Sequence, residues 1–150
     1  MDWWNRFALS VHIIDRLDPC DGDYFNGKTK KQADTRYLEE ILNATETFKN
    51  YDILGHLGYV RRYGDYDDNT LIYNDYTDLI DSILKNIIYD GKSLEINTSG
   101  YRSRLNSPLP DFDIVIRYKE LGGELISIGS DAHHHDHIGF EFGLVSERLK

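Results

Sequence analysis

The sequence predicts an α/β protein of about four parallel strands joined by crossover helices, the arrangement expected of part of a (βα) barrel. Three observations predict it. Short, mostly apolar runs recur at residues 7–14, 53–56, 93–97 and 125–129. Longer segments with helical spacing of apolar residues separate them. The runs also finish in residues that carry chemistry: His12, His56, Asn97 and the Asp131-Ala-His133 segment. In parallel α/β sheets, ligands bind beyond the carboxyl ends of the strands.

Each element follows in order. Residues 7–14 read as the first strand. Residues 15–28 hold Pro, Gly, Asn and repeated Asp, and read as a long loop. Residues 30–48 read as a helix, with Tyr37, Leu38, Ile41, Leu42 and Thr45 at helical spacing. Residues 53–56 form the second strand, and residues 61–69 a polar loop. The strongest helix covers residues 73–89, where Tyr76, Leu79, Ile80, Ile83, Leu84, Ile87 and Ile88 make one apolar face. Gly91 ends it. Residues 93–97 are the third strand, followed by a loop through Pro110. Asp111 caps a helix reaching about Leu121, where Gly122-Gly123 stops it. Residues 125–129 are the fourth strand, and a short helix closes the pattern at 140–148.

The 150 residues form one domain by length, with charge −9. A chain of this size buries roughly 68–70% of its unfolded surface. The acidic balance argues against a general nucleic-acid binder, which needs a basic face to release counterions. It leaves room for an anionic small substrate, because local arginines and a bound cation reverse the field inside a pocket. The lone Cys20 excludes an internal disulfide and fits a reducing compartment. No apolar run approaches the roughly 20 residues of a membrane span. The opening Met-Asp-Trp-Trp-Asn-Arg lacks the features of a signal peptide. A cytoplasmic protein is expected.

Asp131 and His133 follow the fourth strand after Gly129-Ser130. A carboxylate and an imidazole two residues apart suit zinc, manganese or iron. His12 and His56 extend the candidate ligand set, although strand-end histidines also serve as core residues bonded to carbonyls. His134, His135 and His137 are read as solvated loop residues. Arg61, Arg62 and Arg102 follow His56 and Asn97 closely, so all three project from the expected metal-bearing edge. Guanidinium groups hold phosphate in bidentate fashion; the competing reading is charge balance against Asp65, Asp67 and Asp68. Metal plus arginine suggests phosphate-ester hydrolysis, in which cations activate water and clamp phosphoryl oxygens. There is no Gly-x-Ser-x-Gly elbow, P-loop or dinucleotide-binding glycine pattern.

Five segments together resemble the polymerase-and-histidinol-phosphatase (PHP) superfamily, and within it the histidinol-phosphate phosphatases. They are Ser10-Val-His12, Asp52-Ile-Leu-Gly-His56-Leu, Arg61-Arg62-Tyr-Gly64, Glu95-Ile-Asn97-Thr-Ser-Gly-Tyr-Arg102 and Gly129-Ser-Asp131-Ala-His133. The resemblance implies a distorted (βα) barrel with a trinuclear metal centre, hydrolysing L-histidinol phosphate in histidine biosynthesis. It implies that His12 and His56 ligate one metal, Asp131 a second and His133 a third. Arg102 and one of Arg61 and Arg62 then hold phosphate, and Asp131 helps position or deprotonate water.

The family's opening His-x-His motif, a further His and a bridging Glu are not matched here, and Gly58 stands where the family often has Asp. The chain, residues 1–150, therefore reads as the C-terminal portion of a PHP-type domain, with the first three βα units and the end of the chain missing. The expectations that follow are an incomplete metal centre, a phosphatase incomplete or inactive as this chain alone, an exposed apolar inner face, and either homodimerisation or dependence on an N-terminal half. The alternative reading is a non-catalytic remnant or interaction module with residual metal binding. A polymerase-associated role on nucleic acid is disfavoured by the charge.

Overall fold

The computed structural model describes residues 6–150. The reading of the opening residues as no signal peptide therefore falls, for residues 1–5, outside the described part. Four strands, β1 (Ala8–Leu9), β2 (Ile53–Leu54), β3 (Ser93–Asn97) and β4 (Ile126–Gly129), form one sheet in the order β1-β2-β3-β4. Every neighbouring pair is parallel. The helices are α1 (Lys30–Thr47), α2 (Thr77–Tyr89), α3 (Phe112–Glu120) and α4 (Phe142–Arg148). Strands added in sequence order by crossovers of one hand place their connecting helices on one face of the sheet. The core agrees: Leu54 and Leu94 pack with Leu38, Ile41, Ile80, Ile83, Ile87 and Ile114. Ile96 packs with Val115 and Val145.

Alternation along β3 makes its two faces chemically different. Leu94 and Ile96 are fully buried beneath helices. Ser93 and Glu95 point the other way and are only partly buried. Ser10, Gly55, Ser127 and Gly129 continue that second face, where the Gly55 hydrogen lies beside Ser10 Oγ and that of Gly129 beside the Glu95 carboxylate. The expectation of an apolar inner face holds only in part. Around Glu95 the face is small and polar, whereas Ile53, paired with Ser93, and Leu125, at 53% exposure, add apolar side chains nearer its start.

Local chemistry explains the helix boundaries. Thr29 and Gln32 close a capping box ahead of α1, with Thr29 N donating to Gln32 Oε1 at 2.9 Å. The apolar face of α2 is Ile80, Ile83, Leu84 and Ile87, all at 0% exposure, so each contributes about 1.5–3 kcal/mol of burial. This helix begins at Thr77 rather than residue 73, because Tyr76 leaves helical geometry at φ −140° and ψ 33°. Tyr73–Asp75 forms a separate 3-10 turn, with Tyr73 N donating to the Asp113 carboxylate at 2.7 Å. Asp111 precedes α3 as expected, but its carboxylate makes no cap bond. It pairs with Arg61 instead, at 2.8 Å.

The first strand is shorter than its apolar run. Beyond Leu9 the chain carries His12 past the sheet edge and then reverses in a two-residue hairpin. Ile14 and Leu17 exchange both backbone hydrogen bonds at 2.9 Å, and Asp15 and Arg16 sit at φ 53° and 67°. Two left-handed central residues define the tight hairpin turn whose twist suits the flanking backbone. Arg36 Nη2 donates to Asp15 Oδ1 at 2.8 Å and fixes the turn to α1.

Candidate metal centre

His12 and His56 stand past the ends of β1 and β2, and the parallel register brings them together. Gly55 N donates to Leu9 O at 2.8 Å, so the ladder continues to the residue before His56. The two Nε2 atoms lie 3.1 Å apart. Their rings stack with centroids at 4.9 Å, and Tyr59 packs against both. His56 occupies φ 23°, and Asp131, past β4, occupies φ 47°. Side chains held at such backbone angles are typical of functional sites, because surrounding structure must enforce them.

His56 is buried, and that burial, reinforced by the adjacent His12 ring and the Arg62 charge, pushes its pKa down to about 4. The ring is therefore neutral near pH 7, the form in which imidazole binds a cation. Two nitrogens about 2.0–2.1 Å from zinc at a tetrahedral angle stand about 3.3 Å apart, close to the observed pair. His56 Nδ1 is buried without a hydrogen-bond partner. The donor set at this pair fits a borderline divalent ion.

Glu95 supports the pair from below. Its Oε2 accepts from His56 N at 2.7 Å and from Asn97 Nδ2 at 3.1 Å. Gly129 makes room for it: a Cβ there would lie 1.9 Å from Glu95 Oε1. Asn97 Oδ1 accepts from Ser99 N at 3.0 Å, and Ser99 Oγ contacts the Arg62 guanidinium. Sequence reasoning quoted the Glu95-Ile-Asn97 segment but missed Glu95 as a member of the site. Its signal was a lone carboxylate on the polar face of an alternating strand, with glycines on both neighbouring strands.

Arg62 Nη1 donates to Asp131 Oδ2 at 3.0 Å. Burial opposes ionisation of Asp131, but the Arg62 hydrogen bond and charge outweigh it, so the carboxyl is held below its usual range. Arg102 Nη2 donates to the carbonyls of Ser130 and Asp131 at 2.7 and 3.1 Å. Arg62 Nε and Arg102 Nη1 are both buried with no partner. Burial and the nearby Arg62 charge lower the pKa of Arg102.

The adjacent Arg61 has a different place. Its side chain is 2% exposed and pairs with Asp111. It also donates to Asn69 O at 3.0 Å and to Ser107 Oγ at 3.1 Å. Of the two arginines between which the sequence leaves the choice open, Arg61 is tied to the loop at Asn69 and to the loop from Ser107 to Asp111, and Arg62 is the one that reaches Asp131. His133 turns outward, with its side chain 85% exposed and Nδ1 3.1 Å from Asp131 O. Among the described residues, His12, His56, Asp131 and His133 do not close into one group of three ligand atoms. The pair His12–His56 converges; Asp131 is near enough for its charge to act on His56.

Residues 3–99 match the PHP domain family. The chain belongs to that family. The histidinol-phosphatase of Lactococcus lactis is 34% identical over 125 residues, covering 83% of this chain and 46% of the relative. The "Probable histidinol-phosphatase" of Thermotoga maritima is 40% identical over 149 residues, covering 99% of this chain and 57% of the relative. A crystal structure of histidinol phosphate phosphatase from Lactococcus lactis, complexed with zinc, L-histidinol and phosphate, superimposes with a TM-score of 0.78 at 31% identity. The match covers 93% of this chain and 55% of that one. A second structure, from Listeria monocytogenes, shares the fold at TM-score 0.75 and 21% identity. The PHP chain described here spans about half the length of the relatives it matches. No helix among its described residues is long and apolar enough to cross a membrane.

Proposed function

We propose that this PHP chain contributes to a metal-dependent phosphomonoesterase acting on L-histidinol phosphate, a step of histidine biosynthesis. The observation that carries the reading is the His12–His56 pair, Nε2 to Nε2 at 3.1 Å, beside the Arg62–Asp131 contact. The relative crystallised with zinc, L-histidinol and phosphate supports the substrate and the metal. Zinc is the favoured ion, with manganese and iron as alternatives that the same nitrogen and oxygen donors accept. A cytoplasmic location accords with the free, exposed Cys20.

His12 and His56 would hold the cation, and Asp131 and His133 are the candidate ligands on the β4 side. The bound metal supplies Lewis acidity that lowers the pKa of water and screens phosphoryl charge. The free hydrogen-bonding positions of Arg62 and Arg102 bind the phosphate oxygens and offset charge as it develops. Asp131, kept ionised by Arg62, orients the attacking water and accepts its proton. The water oxygen bonds to phosphorus as the ester P–O bond breaks, the departing alcohol oxygen takes up a proton from solvent, and Asp131 returns the proton it accepted to solvent. Glu95 keeps the His56 backbone in place throughout.

The test combines metal titration with a phosphate-release assay on L-histidinol phosphate. The reading predicts zinc- or manganese-dependent turnover that disappears in H56A. The alternative, a non-catalytic module with residual metal binding, is favoured by one observation: the four candidate ligands do not close into one three-atom group. It predicts metal uptake with no phosphate release at any metal concentration.

A further inference from the structure

A second group of metal donors lies outside the His12–His56 pair, on the loop after β4. His134, His135 and Asp136 present ligand atoms that all fall within 4.8 Å of one another. Asp136 sits between the two imidazoles. Its Oδ1 is 2.9 Å from His135 Nε2, and its Oδ2 is 3.4 Å from His134 Nδ1. The rings themselves approach to 4.1 Å between centroids.

This gathering has no packing cause. The side chains are 57%, 78% and 71% exposed, so they bury little apolar surface in coming together. The backbone that carries them is ordered, and Asp136 N faces His134 Nδ1 at 3.5 Å. Residues His135–His137 form a 3-10 turn with His134 as its N-cap. His137 N donates to His134 O at 3.0 Å, and Ile138 N to His135 O at 3.2 Å. Consecutive donors on a closed turn lose less freedom on chelation than donors on an open loop.

We infer that His134, His135 and Asp136 form a separate, solvent-facing site for one borderline divalent cation such as Zn²⁺, Cu²⁺ or Ni²⁺. Imidazole nitrogen suits these ions better than Mg²⁺ or Ca²⁺, and one carboxylate adds charge without saturating the coordination sphere. Binding replaces the imidazole–carboxylate contacts with bonds to the ion. Exposure leaves further coordination positions for water and removes any desolvation barrier to entry. The reading of these histidines as merely solvated changes accordingly.

The test is equilibrium dialysis of the whole chain against Zn²⁺, with Cu²⁺ electron paramagnetic resonance as the structural readout. The triple variant H134N/H135N/D136N changes only exposed side chains. It is expected to bind one equivalent of Zn²⁺ fewer than the parent and to lose a Cu²⁺ signal carrying imidazole nitrogen couplings. D136N alone is expected to weaken that equivalent by about tenfold or more, as loss of one ligand in three implies. Equal stoichiometry in parent and triple variant overturns the site. A change under about twofold in D136N overturns the three-ligand assignment. Phosphate release does not enter this readout, so its failure and that of the phosphatase reading are distinguishable.

Discussion

His12 and His56 are 44 residues apart in sequence, yet their Nε2 atoms meet at 3.1 Å over the carboxyl ends of adjacent strands. The pairing of β1 with β2 sets this approach, and Glu95 on the next strand secures it by accepting from His56 N.

The metal-free chain loses stability in acid through His56. Its ordinary pKa of 6.5 falls to about 4 in the folded state, chiefly through burial. Between those values the unfolded chain binds the extra proton, so stability declines as pH falls from 6.5 towards 4. The contribution is present in full above pH 6.5, and its loss amounts to about 3 kcal/mol. Urea midpoints measured with chelator present check this. The H56Q variant is expected to show a flatter profile over the same window.

Gly129 tests the role of Glu95. The Cβ of G129A collides with the end of the Glu95 side chain rather than with backbone. The carboxylate is therefore expected to swing away, at a stability cost of about 1 kcal/mol. Metal affinity at the His12–His56 pair falls about tenfold, the lower end for loss of a supporting contact. In an E95A background the same glycine change adds little, because the colliding group is gone. Calorimetric zinc titration of the single and double variants reads both effects.

Arg61 and Arg62 are neighbours with separable duties. R61A strands the Asp111 carboxylate and opens three loop contacts, so it is expected to cost about 3 kcal/mol of stability. R62K keeps the charge but loses the two-pronged contact to Asp131 and Ser99. It should leave the melting temperature within a few degrees of the parent and weaken inorganic phosphate binding roughly tenfold. Thermal melts with and without phosphate separate the two outcomes.

The sheet has open edges. Among the described residues β1 and β4 each pair on one side only. Phe7 and Leu125, just before those strands, are 56% and 53% exposed. Unpaired strand edges beside apolar side chains favour association. Sedimentation velocity on the 150-residue chain is expected to show a dimer that F7D/L125D dissociates. A monomer with a sharp, high-temperature melt contradicts this.

Much of this architecture was legible because two periods coexist in the chain. The α2 face repeats at helical spacing through Ile80, Ile83, Leu84 and Ile87, and β3 ends where its apolar–polar alternation ends. The match to the PHP domain family bears out the family resemblance. Strand ends also pointed to His12 and His56, which the structure brings into contact. What remained hidden was direction. Nothing in Arg61-Arg62 distinguishes the buried guanidinium from the site-facing one, because a 3-10 turn rather than a helix or strand sets their rotation. Glu95 stayed hidden because its partners, Gly129 and the His56 amide, come from other strands. The short β1 escaped notice because hydrophobicity continues past Leu9, where the ladder does not.

Anomalous diffraction at the zinc edge, from crystals grown with Zn²⁺ and inorganic phosphate, tests the metal assignment most directly. The account predicts a peak within bonding distance of both His12 Nε2 and His56 Nε2, with phosphate oxygens on Arg62 and Arg102. Zinc density confined to the His134–Asp136 loop, with the His12–His56 pair still in direct contact, would contradict it.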